Sequence, residues 1–466
     1  FGMIMKNWTD KKVIVLGAAR QGTALSRFLA EKGARVILTD LHGPETLSAE
    51  ALALKDKGVE LCLGSHPLDL LEGADLVCVS GGVPLNIPFL QEAARRRIKL
   101  SNDSQVFLEA CPAPVVGITG SAGKTTTTAL LGLMARKYFE MKQSLRRAWV
   151  GGNIGNPLIG QVAEMHPDDL VILELSSFQL ELMTLSPQVA VVLNITPNHL
   201  DRHGTMQAYT AAKARILNHQ HQGDVAVLNR DDAGSWELSY HLKSDLISFG
   251  FNRPETNQNG TYIHKDSVYL QIERQQLKMF PVEWIRLRGQ HNISNVLAAC
   301  AAAAGASLAL PAIQSAVEEF TGVAHRLEFV RNVRGADWYN DSIATAPERT
   351  LAALLSFQSP VILLLGGRDK NLPWEKLAEH VRSRVRHVIL FGEAAELISS
   401  ALGSVQPNQT LLSISRCASL QEAVQKAAEL AQEGDSVLLS PGGTSYDAFK
   451  DFEERGECFR QWVNAL

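Results

Sequence analysis

Short apolar runs alternate with helical patterns along most of the chain. Apolar runs at 12–16, 35–39 and 76–80 are separated by stretches with helical or irregular spacing. This alternation is typical of parallel sheets covered by helices. The pattern fades near residue 100, and residues 102–114, with prolines at 112 and 114, are predicted to be a linker.

The same pattern returns twice. A second block starts with the apolar run at 115–119, continues with runs at 170–175 and 189–195, and includes a hairpin pattern at 261–272 and an alanine-rich helix at 296–310. A third block follows residue 322, and its predicted elements are strands at 361–365, 388–391 and 436–440 and a helix at 420–431. The sequence therefore predicts an α/β protein with three domains, at 1–101, 102–322 and 323–466.

Composition narrows the class of function. The 466 residues carry 45 Lys and Arg against 49 Asp and Glu, a net charge of −4, which is not typical of a protein that binds nucleic acid. The six cysteines form no C-x-x-C pair, and no basic region followed by an apolar stretch opens the chain. The longest apolar run, 296–310, is shorter than the ~20 residues of a membrane span. We expect a cytoplasmic protein without a membrane span.

A phosphate-binding loop is the strongest local signal. The segment VVGITGSAGKTT at 115–126 runs from an apolar strand through a glycine-rich turn into a helical stretch. Backbone N–H groups at such a helix start bind phosphate oxygens. Lys124 would neutralise the β- and γ-phosphates, and the Thr125 hydroxyl would bind Mg²⁺. The strict G-x-x-x-x-G-K-[ST] pattern is not met, since Ile118 stands at its first position.

A second glycine-rich turn, GAARQG at 17–22, follows the first apolar run, and Asp40 ends the second. The pair resembles a dinucleotide fingerprint in which Ala19 replaces the middle glycine and Asp40 would bind a ribose hydroxyl. An NAD-dependent oxidoreductase is therefore one hypothesis, although it leaves the loop at 119–125 without a role. A nucleotide-like ligand in the first domain and ATP in the second account for both turns.

Polar side chains follow two predicted strands of the second block. Glu174 ends the run at 170–175, where it could hold the same Mg²⁺ as Thr125. The segment NITPNHLDRH at 194–203 follows the next run, and its His199 and Asp201 could ligate a metal or orient a substrate. Structural roles for Glu174 and His199 remain open from these residues alone.

Five motifs together carry a family resemblance. TGSAGKT at 119–125, GGNIG at 151–155, ELSSFQL at 174–180, HLDRH at 199–203 and GQHN at 289–292 occur in this order. The chain resembles the Mur ligase family over nearly its whole length. The resemblance implies a Rossmann-like N-terminal domain, a central P-loop ATPase-type domain and a C-terminal Rossmann-like α/β domain. It also implies an ATP-dependent amide-forming ligase that adds D-glutamate to UDP-N-acetylmuramoyl-L-alanine through an acyl phosphate, with ATP and two Mg²⁺ ions, as a monomer.

Site residues follow from the resemblance by position. The implied ATP-binding residues are Gly120, Ser121, Ala122, Gly123, Lys124, Thr125, Thr126, Asn292, Asn295, Arg326 and Asp341. The implied metal ligands are Thr125, Glu174, His199 and Lys213, the last as a carbamate, although by sequence alone Lys213 looks like a helix-surface lysine. The implied residues for the UDP-linked substrate are Arg20, Gln21, Asp40, Ser80, Gly82, Asn153 and His199. The implied glutamate-binding residues are Thr345, Lys370, Ser445 and Phe452. The implied catalytic residues are Lys124, Glu174, His199, Lys213 and Arg326.

Two places depart from the family pattern. Ile343 stands where a lysine is common, and Gly443-Thr444 stand where Cys-Ala is common. These positions flank the expected glutamate site, so an L-glutamate-adding variant is the nearest alternative. A folylpolyglutamate synthase-like ligase, with the same kind of central domain, is another.

Overall fold

A computed structural model of the chain describes residues 7–153, 157–287, 289–370, 372–407 and 409–466. It forms two compact units, residues 1–320 and 321–466. In the described part of the chain the strands make three sheets, two in the first unit and one in the second. No helix among these residues is both long and apolar enough to cross a membrane.

The first sheet is parallel throughout, with the strand order β3-β2-β1-β4-β5. Its strands are β1 (Lys12–Leu16), β2 (Arg35–Asp40), β3 (Glu60–Leu63), β4 (Leu76–Val79) and β5 (Lys99–Ser101). Its helices are α1 (Arg20–Glu31), α2 (Ala49–Leu52), α3 (Pro88–Arg95) and α4 (Asp103–Ala110). Val13 and Val15 of β1 belong to one hydrophobic cluster, and Ile14 and Leu16 belong to another. Both faces are therefore covered, which explains why β1 reads as a continuous apolar run.

The second sheet has the order β14-β13-β12-β11-β10-β9-β6-β8-β7. Its strands are β6 (Val115–Thr119), β7 (Ala148–Gly152), β8 (Leu170–Glu174), β9 (Val189–Val192), β10 (Val225–Asn229), β11 (Asp245–Phe249), β12 (Asn259–His264), β13 (Ser267–Ile272) and β14 (Gln275–Pro281). The pairs from β7 to β12 are parallel, and β12 to β14 are antiparallel. The helices are α5 (Lys124–Met141), α6 (Ser177–Leu180), α7 (Leu200–His203), α8 (Met206–Asn218), α9 (Ala233–Trp236), α10 (Gln290–Gly305) and α11 (Leu310–Glu319).

The third sheet forms the core of the second unit, with the order β15-β16-β20-β17-β18-β19. Its strands are β15 (Glu328–Val333), β16 (Ala336–Asn340), β17 (Val361–Gly366), β18 (Val385–Phe391), β19 (Ser413–Arg416) and β20 (Ser436–Gly442). Its helices are α12 (Pro347–Leu354), α13 (Glu375–Arg384), α14 (Ala395–Leu402), α15 (Leu420–Leu430) and α16 (Phe452–Asn464). An antiparallel hairpin, β15 and β16, opens this unit, and the remaining pairs are parallel.

The predicted α/β class with three domains is confirmed, and the domain limits stay predictions. The expectation of a linker at 102–114 is wrong for its first part, which forms α4. Asn102 caps this helix, since its side chain accepts a hydrogen bond from the Gln105 N–H. The first turn of α4 is buried rather than exposed. The prolines that suggested a linker, at 112 and 114, come only after the helix ends.

Candidate functional site

Parallel strands of the second sheet bring the predicted ATP and metal residues to one edge. Ile118 of β6 and Gly152 of β7 both pair with Glu174 of β8, and Thr119 pairs with Val192 of β9. The segments that follow these strands therefore leave the sheet side by side at its carboxyl edge. The chain order reverses around β6, and ligands of open α/β sheets bind at such a point.

The phosphate loop joins β6 to α5, as predicted from its motif. Gly123 has a φ of 84°, a conformation that suits glycine, and a Cβ there would collide with the side-chain oxygen of Asn295. Lys124 opens α5, so the N–H groups of residues 123–126 lie at a helix N-terminus. This is an anion-binding arrangement, since the helix dipole and the N–H groups both favour negative charge.

Three residues that were not predicted as site residues, Asn194, Thr196 and Tyr209, hold this loop in place. The Asn194 side chain accepts a hydrogen bond from the Ala122 N–H at 2.8 Å and donates one to the Ala122 carbonyl at 3.2 Å. Ser121 Oγ donates to the Thr196 carbonyl at 2.9 Å and lies 3.0 Å from the Tyr209 hydroxyl. Asn194 and Tyr209 both lie in segments noted in the sequence, but no spacing rule marks them as supports of the loop.

Two lysine amines meet at the carbonyl of Gly120. Lys124 Nζ and Lys213 Nζ each donate a hydrogen bond to it at 2.9 Å, and Lys213 Nζ lies 3.4 Å from Thr119 Oγ1. Lys213 is 1% exposed, so the expectation of a surface lysine is wrong. Burial, reinforced by the charge of Lys124, lowers the pKa of Lys213 to about 6. A pKa near 6 favours the neutral amine at pH 7, and the neutral amine is the form that can act as a nucleophile towards CO₂.

Glu174 presents an unsatisfied oxygen at the end of β8. The residue is 1% exposed, and its Oε1 accepts a hydrogen bond from Asn153 Nδ2 at 3.0 Å. Its Oε2 is buried without a hydrogen-bond partner among the described residues. A buried carboxylate oxygen without a partner is costly unless a cation compensates it. The carboxylate therefore fits a Mg²⁺ ion, which prefers oxygen ligands.

The other predicted metal ligands differ in type from Glu174. Thr125 is 8% exposed in the first turn of α5, and His199 has a φ of 53° just before α7. Within the described residues there is no group of three or more His, Cys, Asp or Glu that could hold a metal. A site here would thus combine a hydroxyl, one carboxylate, one imidazole and the modified lysine, as the family resemblance implies. The Asp201 side chain and residues 154–155 of the GGNIG motif lie outside the described residues.

An aromatic stack lies beside this edge. The Phe178 ring is parallel to that of His203, with centroids 5.1 Å apart, and lies 5.2 Å from the His199 ring. The Arg202 guanidinium lies 4.4 Å above Phe178 and donates to the carbonyls of Gly82 and Val83 at 3.4 and 3.3 Å. Arg202, which was not predicted as a site residue, therefore ties the segment after β4 to the second sheet.

The predicted residues for the UDP end cluster around the first glycine turn. Asp40 accepts hydrogen bonds from the N–H groups of Ala18 at 2.7 Å and His42 at 2.9 Å. Burial alone would raise the pKa of Asp40, but these hydrogen bonds outweigh it and lower the pKa. Ser80 Oγ donates to the Gly17 carbonyl at 3.2 Å. Both side chains thus stabilise the turn itself, and their contacts with a ligand stay predictions.

Gln21 and Arg20, also predicted for the UDP end, lie in different surroundings. Gln21 Nε2 donates to the Gly152 carbonyl at 3.3 Å, whereas Arg20 is exposed at the start of α1.

Two of the predicted ATP-binding residues lie in the first turns of α10. Asn295 Nδ2 donates to Asn292 Oδ1 at 3.1 Å, and the side-chain oxygen of Asn295 adjoins Gly123 of the phosphate loop. The contacts of both residues with a nucleotide stay predictions.

In the second unit, β16, β20 and β17 are neighbours, so the segments after them share one edge. Asp341, which follows β16, is buried and accepts hydrogen bonds from Ser440 Oγ at 2.7 Å and the Leu327 N–H at 3.2 Å. Burial raises the pKa of Asp341 to about 7. Lys370 Nζ lies 3.4 Å from Thr345 Oγ1. These placements group part of the predicted glutamate set.

The remaining residues predicted for this unit lie in nearby segments. Ser445 follows β20 and is 2% exposed, Phe452 opens α16, and its carbonyl accepts a hydrogen bond from Ser342 Oγ at 2.8 Å. Arg326 precedes β15, and its N–H donates to the Val323 carbonyl at 3.1 Å. Their contacts with substrates stay predictions.

Arg455 was not predicted, yet it joins the two loops that depart from the family pattern. It is fully buried on α16 and donates to the carbonyls of Ser342 and Gly443 at 2.9–3.2 Å. Burial lowers its pKa to about 10. Ile343 and Thr444 follow those two carbonyls directly, so Arg455 fixes the backbone where the unusual residues lie. On a helix of mixed polarity, no sequence signal distinguishes this arginine from a surface residue.

Comparisons with known proteins agree along the whole chain. The family description "Mur ligase MurD-like, N-terminal domain" matches residues 11–101, "Mur ligase middle domain" matches 118–303, and "Mur ligase, glutamate ligase domain" matches 325–443. A UDP-N-acetylmuramoylalanine--D-glutamate ligase of Symbiobacterium thermophilum is 40% identical over 460 residues, 98% of each chain. One of Pelotomaculum thermopropionicum is 39% identical over 464 residues, 99% of each chain. The chain belongs to the Mur ligase family.

Solved structures agree with the Mur ligase fold. MurC, a UDP-N-acetylmuramate-alanine ligase of Thermotoga maritima, has a TM-score of 0.55 at 18% identity, and the match covers 98% of this chain and 99% of that one. MurF of Acinetobacter baumannii has a TM-score of 0.54 at 18% identity, covering 97% and 93%. The Mur ligase N-terminal match includes the glycine turn that suggested an NAD-dependent oxidoreductase, so that alternative is wrong.

Proposed function

We propose that the chain is an ATP-dependent ligase that forms an amide between UDP-N-acetylmuramoyl-L-alanine and D-glutamate, in the synthesis of peptidoglycan precursors. The observation that carries this function is the full-length similarity, at about 40% identity, to curated UDP-N-acetylmuramoylalanine--D-glutamate ligases. The phosphate loop with its two lysines and the unsatisfied Glu174 carboxylate support it chemically.

ATP is needed because a carboxylate does not react with an amine in water. In the proposed reaction the alanine carboxylate attacks the γ-phosphate, and an acyl phosphate and ADP form. Lys124 and the loop N–H groups would neutralise the phosphate oxygens, and Arg326 would add a second cation. Bound Mg²⁺ ions, two in our proposal, would supply further charge neutralisation, and Thr125, Glu174, His199 and the carbamate of Lys213 would hold them.

The glutamate amine then attacks the acyl phosphate, and phosphate leaves. We propose that Lys370 binds a glutamate carboxylate, and that Thr345, Ser445 and Phe452 complete that site. Partial burial and the nearby charge of Arg349 lower the pKa of Lys370, and a carboxylate bound between these two cations would offset their repulsion. The D stereochemistry follows the names of the relatives, despite Ile343 and Gly443-Thr444.

The UDP-linked substrate would bind along the first sheet. We propose that Arg20, Gln21, Asp40, Ser80 and Gly82 surround its nucleotide end. Asn153 and His199 would contact the muramoyl end, next to Glu174. We further propose that the enzyme acts as a monomer in the cytoplasm.

The decisive experiment measures phosphate release with ATP, UDP-N-acetylmuramoyl-L-alanine and either D- or L-glutamate. We expect release to require both substrates, to favour D-glutamate and to disappear in Lys124→Ala. Lys142→Ala, at the exposed end of the same helix, is the matched control and should retain activity. Release that persists in Lys124→Ala would refute the assignment of the phosphate loop. Preference for L-glutamate would refute the stereochemistry, and activity on folates alone would favour the folylpolyglutamate synthase-like alternative.

A further inference from the structure

A buried polar cluster connects the first turn of α4 to the segment that follows Glu174. Ser104 Oγ accepts a hydrogen bond from Gln179 Nε2 at 2.8 Å. Asn102 Nδ2 donates to the Gln179 carbonyl, and Gln105 Oε1 accepts from the Thr184 N–H at 2.8 Å. Three neighbouring side chains, each at most 2% exposed, thus hold one nine-residue stretch, 176–184.

Gln179 connects Ser104 to the residues that follow the end of β8. Its Oε1 accepts hydrogen bonds from the Ser176 N–H at 3.0 Å and from Ser176 Oγ at 2.9 Å. Ser176 lies two residues after Glu174. Gln179 is 1% exposed, and both ends of its amide are used by protein partners. Its orientation is therefore fixed by Ser104 on one side and Ser176 on the other.

Glu174 itself depends on where this strand ends. The Leu175 N–H donates to the Ile118 carbonyl at 2.9 Å, and Thr119 Oγ1 donates to the Leu175 carbonyl at 2.8 Å. The side chain of Glu174 is fixed through Oε1 only, by Asn153, while Oε2 is buried without a hydrogen-bond partner among the described residues. A shift of the backbone at 175–176 would therefore move the unsatisfied oxygen directly.

The buried carboxyl group of Asp103, in the same cluster, lowers the stability of the fold. Its side chain is largely buried, its Oδ1 has no hydrogen-bond partner within the described ranges, and Ser104 Oγ lies 3.5 Å from its Oδ2. Burial raises the pKa of Asp103 to about 6. An apolar contact between α4 and residues 176–184 would avoid this cost, so packing alone does not explain the polar side chains.

We propose that Ser104 is a positioning residue that, through Gln179 and Ser176, fixes the strand end carrying Glu174 and thereby sets the affinity of this edge for a divalent cation. The proposal rests on the proposed function only in that a divalent cation binds at Glu174. Hydrogen-bond partners behind metal ligands typically change metal affinity by about 10- to 100-fold when they are removed. Because Ser104 acts through Gln179 and Ser176 and does not contact Glu174 itself, we expect about the lower figure.

The test is the binding of Mn²⁺, followed by electron paramagnetic resonance, to the full chain with a non-hydrolysable ATP analogue. Ser104→Ala removes the hydroxyl that accepts from Gln179 Nε2 and should weaken Mn²⁺ binding about 10-fold. Ser104→Cys keeps a weak acceptor in a side chain of similar size and should give a smaller loss of Mn²⁺ affinity. This variant also provides the test if Ser104→Ala folds poorly.

Ser248→Ala is the matched control. Ser248 is fully buried on β11, separated from β8 by three strands, and its Oγ accepts from Arg230 at 2.6 Å and donates to the Asn259 carbonyl at 2.9 Å. It should lower the melting temperature without changing Mn²⁺ affinity. Unchanged Mn²⁺ affinity in the Ser104 variants, or an equal loss in Ser248→Ala, would overturn the proposal. Failure of the wild type to release phosphate would instead count against the proposed function, since the Mn²⁺ measurement needs no turnover.

Discussion

Replacing Lys213 with methionine should make the protein more stable and inactive. Lys213 Nζ is buried against the Gly120 carbonyl, and the described residues place no carboxylate in a salt bridge with it. Methionine has nearly the same length and no charge to desolvate. A lysine at this position is therefore expected to serve the reaction at the expense of stability, as residues of active sites commonly do.

The expected size of the effect follows from the pKa of this lysine. In the unfolded chain the pKa is near its ordinary value of 10.5, whereas in the folded protein it is about 6. Between these values the unfolded state binds one more proton, so the stability of the wild type rises with pH. Each pH unit contributes about 1.4 kcal/mol, so the cost of the lysine is roughly 5 kcal/mol at pH 7 and roughly 2 kcal/mol at pH 9. The advantage of the methionine variant should shrink accordingly.

Scanning calorimetry in buffers free of CO₂, ATP and divalent cations measures this difference. We expect Lys213→Met to melt several degrees above the wild type at pH 7 and to lose more than half of that advantage at pH 9. Lys142→Met, at an exposed position, should show no such dependence on pH. An advantage that is equal at both pH values would mean that Lys213 keeps its proton in the folded protein, and the reasoning would be refuted. Phosphate release should be lost in Lys213→Met, and in Lys213→Ala a short carboxylic acid should restore part of it.

Two further substitutions test the other unusual groups. Asp341→Asn should remove a pH dependence of stability. Burial raises the pKa of Asp341 to about 7, so the wild type loses stability as pH rises from about 4 to 7. The melting temperature of the variant should therefore fall less than that of the wild type between pH 5 and pH 8. Gly123→Ala should weaken binding of an ATP analogue by at least about 10-fold in calorimetry, because a positive φ and the Asn295 side chain both oppose a Cβ there. Gly160→Ala, where a Cβ meets no atom within 4 Å, should bind the analogue normally.

The strands and the phosphate loop could be predicted because their signals are local. The run at 115–119 became β6 at the predicted residues, and the apolar runs at 12–16 and 361–365 became β1 and β17 within one residue. In a parallel sheet with both faces covered, each strand is a continuous apolar segment, so the sequence alone marks it. The hairpin of β15 and β16 was missed because half of β15 is exposed and its pattern is not continuous.

The linker at 102–114 was predicted wrongly because polar residues were taken as exposed. Asn102, Ser104 and Gln105 are polar, but each is buried and bonded to residues 176–184, which are more than seventy positions away in sequence. Partners at that separation become neighbours only when the first and second sheets are folded. A rule based on composition cannot distinguish a solvated polar segment from a buried polar contact.

The sequence by itself determined the class of the fold, the order of its domains and the chemical type of its nucleotide site, because apolar periodicity and glycine-rich turns depend on neighbours along the chain. Only the tertiary structure decided the state of the individual groups. Lys213 became a buried amine whose pKa is lowered by burial and by Lys124, and Glu174 was left with one oxygen that has no hydrogen-bond partner among the described residues. The physical reason is that desolvation and hydrogen-bond pairing depend on which distant segments surround a side chain, and local sequence does not specify those segments.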